Sequence, residues 1–240
     1  MEKKKKETAA AGTMWSTTRI TANPYEEIAE LKDGIFYFDF PACRRWLEMQ
    51  GKQIFGERFR IFPEDHEVIL TLLVYAIADM ESARKKNLNM EKGILLTGPV
   101  GCGKTKLMTL INWFFPKSRQ YQVKSTREIT FGFEKDGYKT IGRYAGDATT
   151  EPGRPVSGIY CFDDLGIEQP IKYFGNECNV MAEILLSRYD LFIARGIPTH
   201  ATTNLSATEL ESRYGNRLRS RMREMFNLVA FDKNTRDKRG

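Results

Sequence analysis

The chain has 240 residues, 41% of them hydrophobic, with a formal net charge of +6 and four cysteines. That length admits one large domain, or a domain with a small appendage, and the apolar fraction supports a packed core rather than a disordered chain. The cysteines are scattered (Cys43, Cys102, Cys161, Cys178), no Cys-x-x-Cys occurs, and the histidines are His66 and His200, which argues against a zinc site and for reduced thiols in the cytoplasm. The longest apolar run, 68–78, is too short to span a bilayer, and the lysine-rich start lacks the apolar stretch of a signal peptide, so no membrane role is expected. The basic excess gathers at Lys3–Lys6 and after Arg213. It is compatible with a nucleic-acid partner and equally with a solvated surface.

In chain order, residues 1–22 read as a disordered basic tail, having lysines, small residues and no periodicity. Residues 23–60 read as a small N-terminal module. Within it Tyr25–Leu31 fits a short helix after Pro24, Ile35–Phe40 is aromatic and extended, and Pro41 starts a helical pattern through Trp46 and Met49. Aromatic runs usually belong to a core, so packing is favoured over partner docking. A stronger helix follows Phe62, with Asp65 as its cap and Val68, Ile69, Leu72, Leu73, Ala76 and Met80 on its apolar face.

The most informative stretch comes next. Gly93-Ile94-Leu95-Leu96-Thr97 runs as an apolar strand into Gly98-Pro99-Val100-Gly101-Cys102-Gly103-Lys104-Thr105, and Lys106 onward reads as an apolar helix. Backbone N–H groups that converge on phosphate oxygens need small neighbours, which the glycines supply, and the helix N-terminus adds free amides and its dipole. A strand, Gly-x-x-x-x-Gly-Lys-Thr and a helix together form a phosphate-binding loop, in which Lys104 reaches the terminal phosphates and the Thr105 hydroxyl binds Mg2+. A chance glycine-rich turn would not sit between these two elements.

Further along, Tyr121–Lys124 reads as a strand, Ser125 with Glu128 as a capping box, and Gly137 as a break before a short helix from Tyr138. Residues 147–158 read as a surface loop. Then Ile159-Tyr160-Cys161-Phe162 ends in Asp163-Asp164. A buried strand that ends in paired carboxylates fits a Walker B strand, with Asp163 on the metal and Asp164 orienting or deprotonating the attacking water. Asn176–Ala194 has helical apolar spacing closed by Gly196. Pro198–Asn204 reads as a strand ending in an amide. After the two preceding motifs, Asn204 fits a sensor of the γ-phosphate better than a turn asparagine. Ser206 and Glu209 form a second capping box, and the helix restarts after Tyr214-Gly215. Arg217 and Arg221 share one face of it and Arg219 and Arg223 nearly the opposite one, which suits phosphate or DNA on more than one side. Salt bridging within the chain is the plainer use of these arginines.

From Phe62 to Phe231 the chain resembles the AAA+ ATPases of the DnaC-type helicase loaders and the IstB-type transposition helper ATPases. The resemblance is carried by the phosphate loop, Phe162–Gly166, Arg188-Tyr189, Thr202–Ser206 and Tyr214–Met222. It implies an α/β P-loop NTPase fold (AAA+/ASCE), a three-layer sandwich with a five-stranded parallel sheet, over residues 61–232, with a charged tail at 233–240. It implies nucleotide-dependent oligomers in which Arg221 acts as an arginine finger on the next subunit and Arg217 as a second contact. The expected cofactors are ATP and Mg2+. The expected partners are further copies of the chain, single-stranded DNA, and a replicative helicase or a transposase. Three departures stand out. The second Walker B acid is Asp164 where glutamate is usual. Only a strand and a tail follow Arg223, so no helical lid fits. Residues 1–60 match no partner-binding domain.

The expected activity is therefore DNA-associated ATP hydrolysis that remodels a protein partner, with Lys104, Asp164, Asn204 and Arg221 catalytic, residues 98–106 holding nucleotide, and Thr105 and Asp163 holding metal. Two other readings remain: a P-loop phosphotransferase acting on a nucleotide or small metabolite, and a non-hydrolysing switch whose ATP sets only the oligomeric state.

Overall fold

The computed structural model describes residues 8–10, 28–146, 158–173 and 176–239. The chain forms two compact units, divided between Met90 and Glu91, with Leu110–Phe115 joining the first. The helices after Phe62 cluster with the N-terminal elements, so this division falls beyond residue 60, where the sequence suggested the start of the core.

In the first unit, β1 (Thr8–Ala10), β2 (Ala29–Lys32) and β3 (Ile35–Asp39) form an antiparallel sheet in the order β1-β3-β2. Thr8–Ala10 were expected in the structureless tail but pair with β3; the rest of 1–22 lies outside the described residues apart from this strand. The helix expected over Tyr25–Leu31 is a strand at Ala29–Leu31, and Tyr25–Glu27 lie outside the described residues. The overriding signal is Asp33-Gly34: with φ of 50° and 78° they form the two-residue turn that matches strand twist. α1 (Phe40–Phe55) starts where expected, its Asp39 carboxylate accepting the Ala42 N–H at 3.3 Å.

α2 (His66–Ala76) follows a 3-10 turn at Pro63–Asp65. Asp65 does not cap α2; its carboxylate accepts the Phe62 N–H at 3.2 Å instead. Ala78 turns left-handed at φ 57°, and Asp79 caps a separate helix, α3 (Met80–Lys85), by accepting the Ser82 N–H at 3.0 Å. Met80, expected on the apolar face, is exposed for that reason. The aromatic side chains do pack internally: Trp46 and Phe38 meet Phe114 at 5.4 and 6.3 Å, and Tyr75 meets Phe115 at 5.8 Å between ring centroids.

The second unit contains β4 (Gly93–Thr97), the start of α4 (Lys104–Ile111), β5 (Gln122–Ser125), α5 (Thr126–Asp136), α6 (Tyr138–Ala145) and β6 (Tyr160–Asp163). A hairpin of β7 (Ile171–Tyr173) and β8 (Asn176–Cys178) follows, then α7 (Val180–Arg195), β9 (His200–Thr203), α8 (Ala207–Met225) and β10 (Phe226–Ala230). Asn176, expected to begin a helix, is in β8; α7 starts later, capped by Asn179, whose side chain accepts the Ala182 N–H at 3.1 Å. The loop expected at 147–158 lies outside the described residues except for Gly158.

The large sheet has five strands in the order β10-β4-β9-β6-β5, and every pairing is parallel. Parallel strands need crossover helices, and these cover the faces. On one face Leu95, Tyr160, Phe162 and Ala201 pack with Ile129 and Phe133 of α5, Ile184 and Leu185 of α7, and Leu218 and Met222 of α8. On the other, Tyr121 donates its hydroxyl to the Met108 carbonyl of α4 at 2.6 Å. The registers Thr97↔Thr203 and Ser125↔Asp163 bring the carboxyl ends of β4, β9, β5 and β6 to one edge, where ligands enter open α/β sheets.

Arg188 of α7 is 0% exposed and donates to Thr199 Oγ1 (2.9 Å) and to the carbonyls of Gly146 (3.2 Å), Gly158 (2.9 Å) and Pro198 (3.1 Å). Burial lowers its pKa to about 10. A buried guanidinium needs its donors satisfied, and here oxygens from three segments do so.

Candidate functional site

The loop after β4 has the shape its residue types predict. Gly101 and Gly103 have φ of 78° and 99°, a region that costs other residues strain. Lys104 is 6% exposed, and its ammonium donates to the carbonyls of Gly98 and Pro99 at 2.9 Å each. The Cys102 thiol is buried in the loop, 3.9 Å from that ammonium. Lys106 is half-buried on the first turn of α4, and Val100 is exposed at the tip of the loop.

Across the sheet edge, the Thr105 hydroxyl lies 2.9 Å from both oxygens of Asp163. Thr202, on β9, donates its hydroxyl to Asp163 Oδ1 at 2.7 Å and accepts the Asp164 N–H at 2.9 Å. Burial raises the Asp163 pKa and the Asp164 charge adds to that; the Thr202 and Thr105 hydroxyls and Lys104 oppose it. A desolvated carboxylate that holds two hydroxyls beside a lysine is poised for a cation. Among the described residues no group of three or more His, Cys, Asp or Glu could hold a metal. A divalent ion here would be held by Thr105, Asp163, water and ligand phosphate, and that donor set suits Mg2+, which keeps several waters.

Asp164 sits at φ 56°, its carbonyl held by the Thr126 hydroxyl at 2.9 Å. Aspartate tolerates this left-handed conformation better than longer residues do, a physical reason for its presence where glutamate was the expected type. Asn204 lies exposed one residue past β9, and the register carries it to the level of Gly98. Lys104, Thr105, Asp163, Asp164 and the strand end before Asn204 therefore gather at one edge.

Arg221 is placed differently. Its guanidinium stacks over the Tyr189 ring at 4.8 Å and lies 3.9 Å from Asp190, both on α7 of the same chain. Arg217 is exposed on α8. Two site residues were given no role in advance. Thr202 figured only within the strand and the Thr202–Ser206 motif. Glu168, buried, accepts the Gly166 N–H at 2.8 Å and the Tyr214 hydroxyl, and so ties the turn after Asp164 to α8.

A glycine-rich loop between β4 and α4, an acid at the end of β6, and β9 inserted between them decide the fold class. The chain has a P-loop NTPase fold. No protein-family model matches it, and no curated protein does. Among solved structures it is similar to the DnaC helicase loader, at 20% identity over 72% of this chain and 92% of that one, with a TM-score of 0.49. It is similar to DnaI at 20% identity over 65% of this chain and 83% of that one, with a TM-score of 0.44. It is also similar to AMPPCP-bound DnaA from Aquifex aeolicus, at 17% identity over 72% of this chain and 48% of that one, with a TM-score of 0.45. The P-loop assignment rests on the strand order and the loop of this chain. No described helix is long and apolar enough to cross a membrane.

Proposed function

We propose that the chain binds Mg-ATP at the carboxyl edge of the sheet and hydrolyses it as a DNA-associated ATPase of the helicase-loader and transposition-helper type. The observation that carries the reading is the joining of Thr105, Asp163 and Thr202 beside the Lys104 loop. Lys104 exchanges loop carbonyls for phosphate oxygens, Thr105 and Asp163 hold the metal, and Asp164 with Asn204 positions water. The metal, when bound, neutralises phosphate charge. Adenine as the base, DNA as a partner, and a replicative helicase or transposase as client come from the sequence resemblance.

The arginine finger belongs to the same proposal. The ion pair of Arg221 is long and its stack partly exposed, so a triphosphate on a second copy competes for the guanidinium; Arg217 is already exposed. A finger supplied in trans adds roughly 10³ to 10⁵ in rate. The test is ATP turnover per chain against protein concentration, with and without single-stranded DNA. Turnover is expected to rise with concentration in the wild type, to stay at the dilute level in Arg221→Ala, and to vanish in Lys104→Ala. Turnover independent of concentration rejects the finger; no nucleotide binding at all rejects the whole reading. The non-hydrolysing switch draws support from the pairing of Arg221 within its own chain. Unchanged phosphate release in Asp164→Asn, with assembly intact, would favour it.

A further inference from the structure

The segment after β10, expected only as a charged tail, lies on the phosphate loop. A turn closes at once: the Thr235 N–H donates to the Asp232 carbonyl at 3.0 Å, and the Asn234 N–H to Asp232 Oδ1 at 2.8 Å. The chain then returns across the loop. The Lys238 N–H donates to the Gly101 carbonyl at 3.0 Å, and the Lys238 ammonium donates to the Cys102 carbonyl at 2.8 Å while lying 5.0 Å from the centre of the Phe231 ring. The Asp237 carboxylate fills the space beside Gly101, where a Cβ would come within 2.1 Å of Oδ1. Arg239 pairs with Asp237 at 2.8 Å, and its guanidinium also feels the Asp164 carboxylate.

These contacts bear on the direction of the loop amides. In a trans peptide the C=O and the next N–H point opposite ways, and the described chain has no cis peptide bond. A Cys102 carbonyl held by Lys238 therefore turns the Gly103 N–H to the other side of the loop. The Gly101 carbonyl does the same for the Cys102 N–H, which reaches the Pro99 carbonyl at 3.4 Å. A loop with glycines at 98, 101 and 103 has many backbone states to lose when it closes on a ligand. Fixing it beforehand removes part of that cost.

We propose that residues 236–239 are a working part of the phosphate site, with Lys238 as a positioning residue that sets the loop amides for a polyphosphate and Gly101 kept bare to admit Asp237. The proposal rests on the nucleotide-binding reading above and adds a segment to it. Docking of the segment and binding of a nucleoside triphosphate then stabilise the same loop conformation, and each strengthens the other.

The test compares the full chain with Lys238→Met, Lys238→Arg and a chain ending at Asp232. Equilibrium binding of a fluorescent ATP derivative with Mg2+ is read beside hydrogen exchange of residues 98–105 in nucleotide-free protein. The expected result is affinity weaker by roughly tenfold in Lys238→Met and in the shortened chain, the loss of a charged hydrogen bond. The loop should exchange faster in both while the β4 and β9 peptides stay protected, and Lys238→Arg should recover part of the affinity. Unchanged loop exchange, or affinity equal to or tighter than the full chain, overturns the proposal; tighter binding would mark the segment as a competitor of nucleotide. Should the full chain itself fail to bind the probe, the nucleotide reading falls, and the exchange measurement still decides whether Lys238 orders the loop.

Discussion

Thr202 joins the two acids at the end of β6, Asp163 and Asp164, since its hydroxyl donates to one and accepts from the backbone of the other. Thr202→Val keeps the shape and removes both bonds. The expected cost is about 1–2 kcal/mol of stability, read from urea unfolding, with a clear loss of the extra thermal stabilisation that Mg-nucleotide provides. Asp164 makes a separate prediction from its left-handed φ of 56°. Asp164→Asn should fold and bind nucleotide but release little phosphate, whereas Asp164→Glu should be destabilised by about 1 kcal/mol through backbone strain. His200 is buried between strands, where its Nδ1 accepts the Ile94 N–H at 3.1 Å. Desolvation, with Arg119 and Arg188 nearby, lowers its pKa to about 3. The unfolded chain therefore binds a proton that the folded chain refuses. The His200 contribution to stability should be full well above pH 6.5 and be lost as pH falls from 6.5 toward about 3, by up to about 1.4 kcal/mol per unit, as unfolding at stepped pH would show.

At the level of elements, α8 is the piece with most to reveal. Gly215 interrupts it at φ 78°, and just before the break Tyr214 gives its hydroxyl to buried Glu168. Tyr214→Phe leaves that carboxylate short of a donor and should destabilise by about 1–3 kcal/mol; Gly215→Ala should cost about 1 kcal/mol, both read by chemical unfolding. Much of this level was legible in the sequence, because caps and breaks are written in residue types: Ser125, Gly137, Gly196, Ser206 and Gly215 all act where they were expected to. The strand pair β2–β3 was missed: Asp33-Gly34 carries its turn, but the Glu-rich stretch before it reads as a helix. The β7–β8 hairpin was missed too, since three-residue strands show no usable alternation. Arg188 was singled out as a motif, and its burial was not foreseen, because a guanidinium that bonds to backbone carbonyls leaves no partner in the sequence pattern.

For the molecule as a whole, the loop and the acidic strand end were inferable, since phosphate chemistry dictates their residues; the five-stranded parallel sheet came only with the resemblance, and its strand order was not read from the sequence. The contact of Lys238 with Gly101 and Cys102 was not inferable, because it runs through main-chain atoms more than 130 positions apart in the chain. Among the described residues no helix follows β10, so Lys238 and Arg239 bring the positive charge that the end of this unit contributes near the loop and Asp164.

The four oxygens around Arg188 have one more implication. Gly146 and Gly158 are both bound to that single guanidinium, which thereby clamps the end of α6 to the start of β6. Arg188→Ala should release that clamp and leave three carbonyls without their donor, so the melting temperature should drop and the amides at the α6 end and the β6 start should exchange faster together.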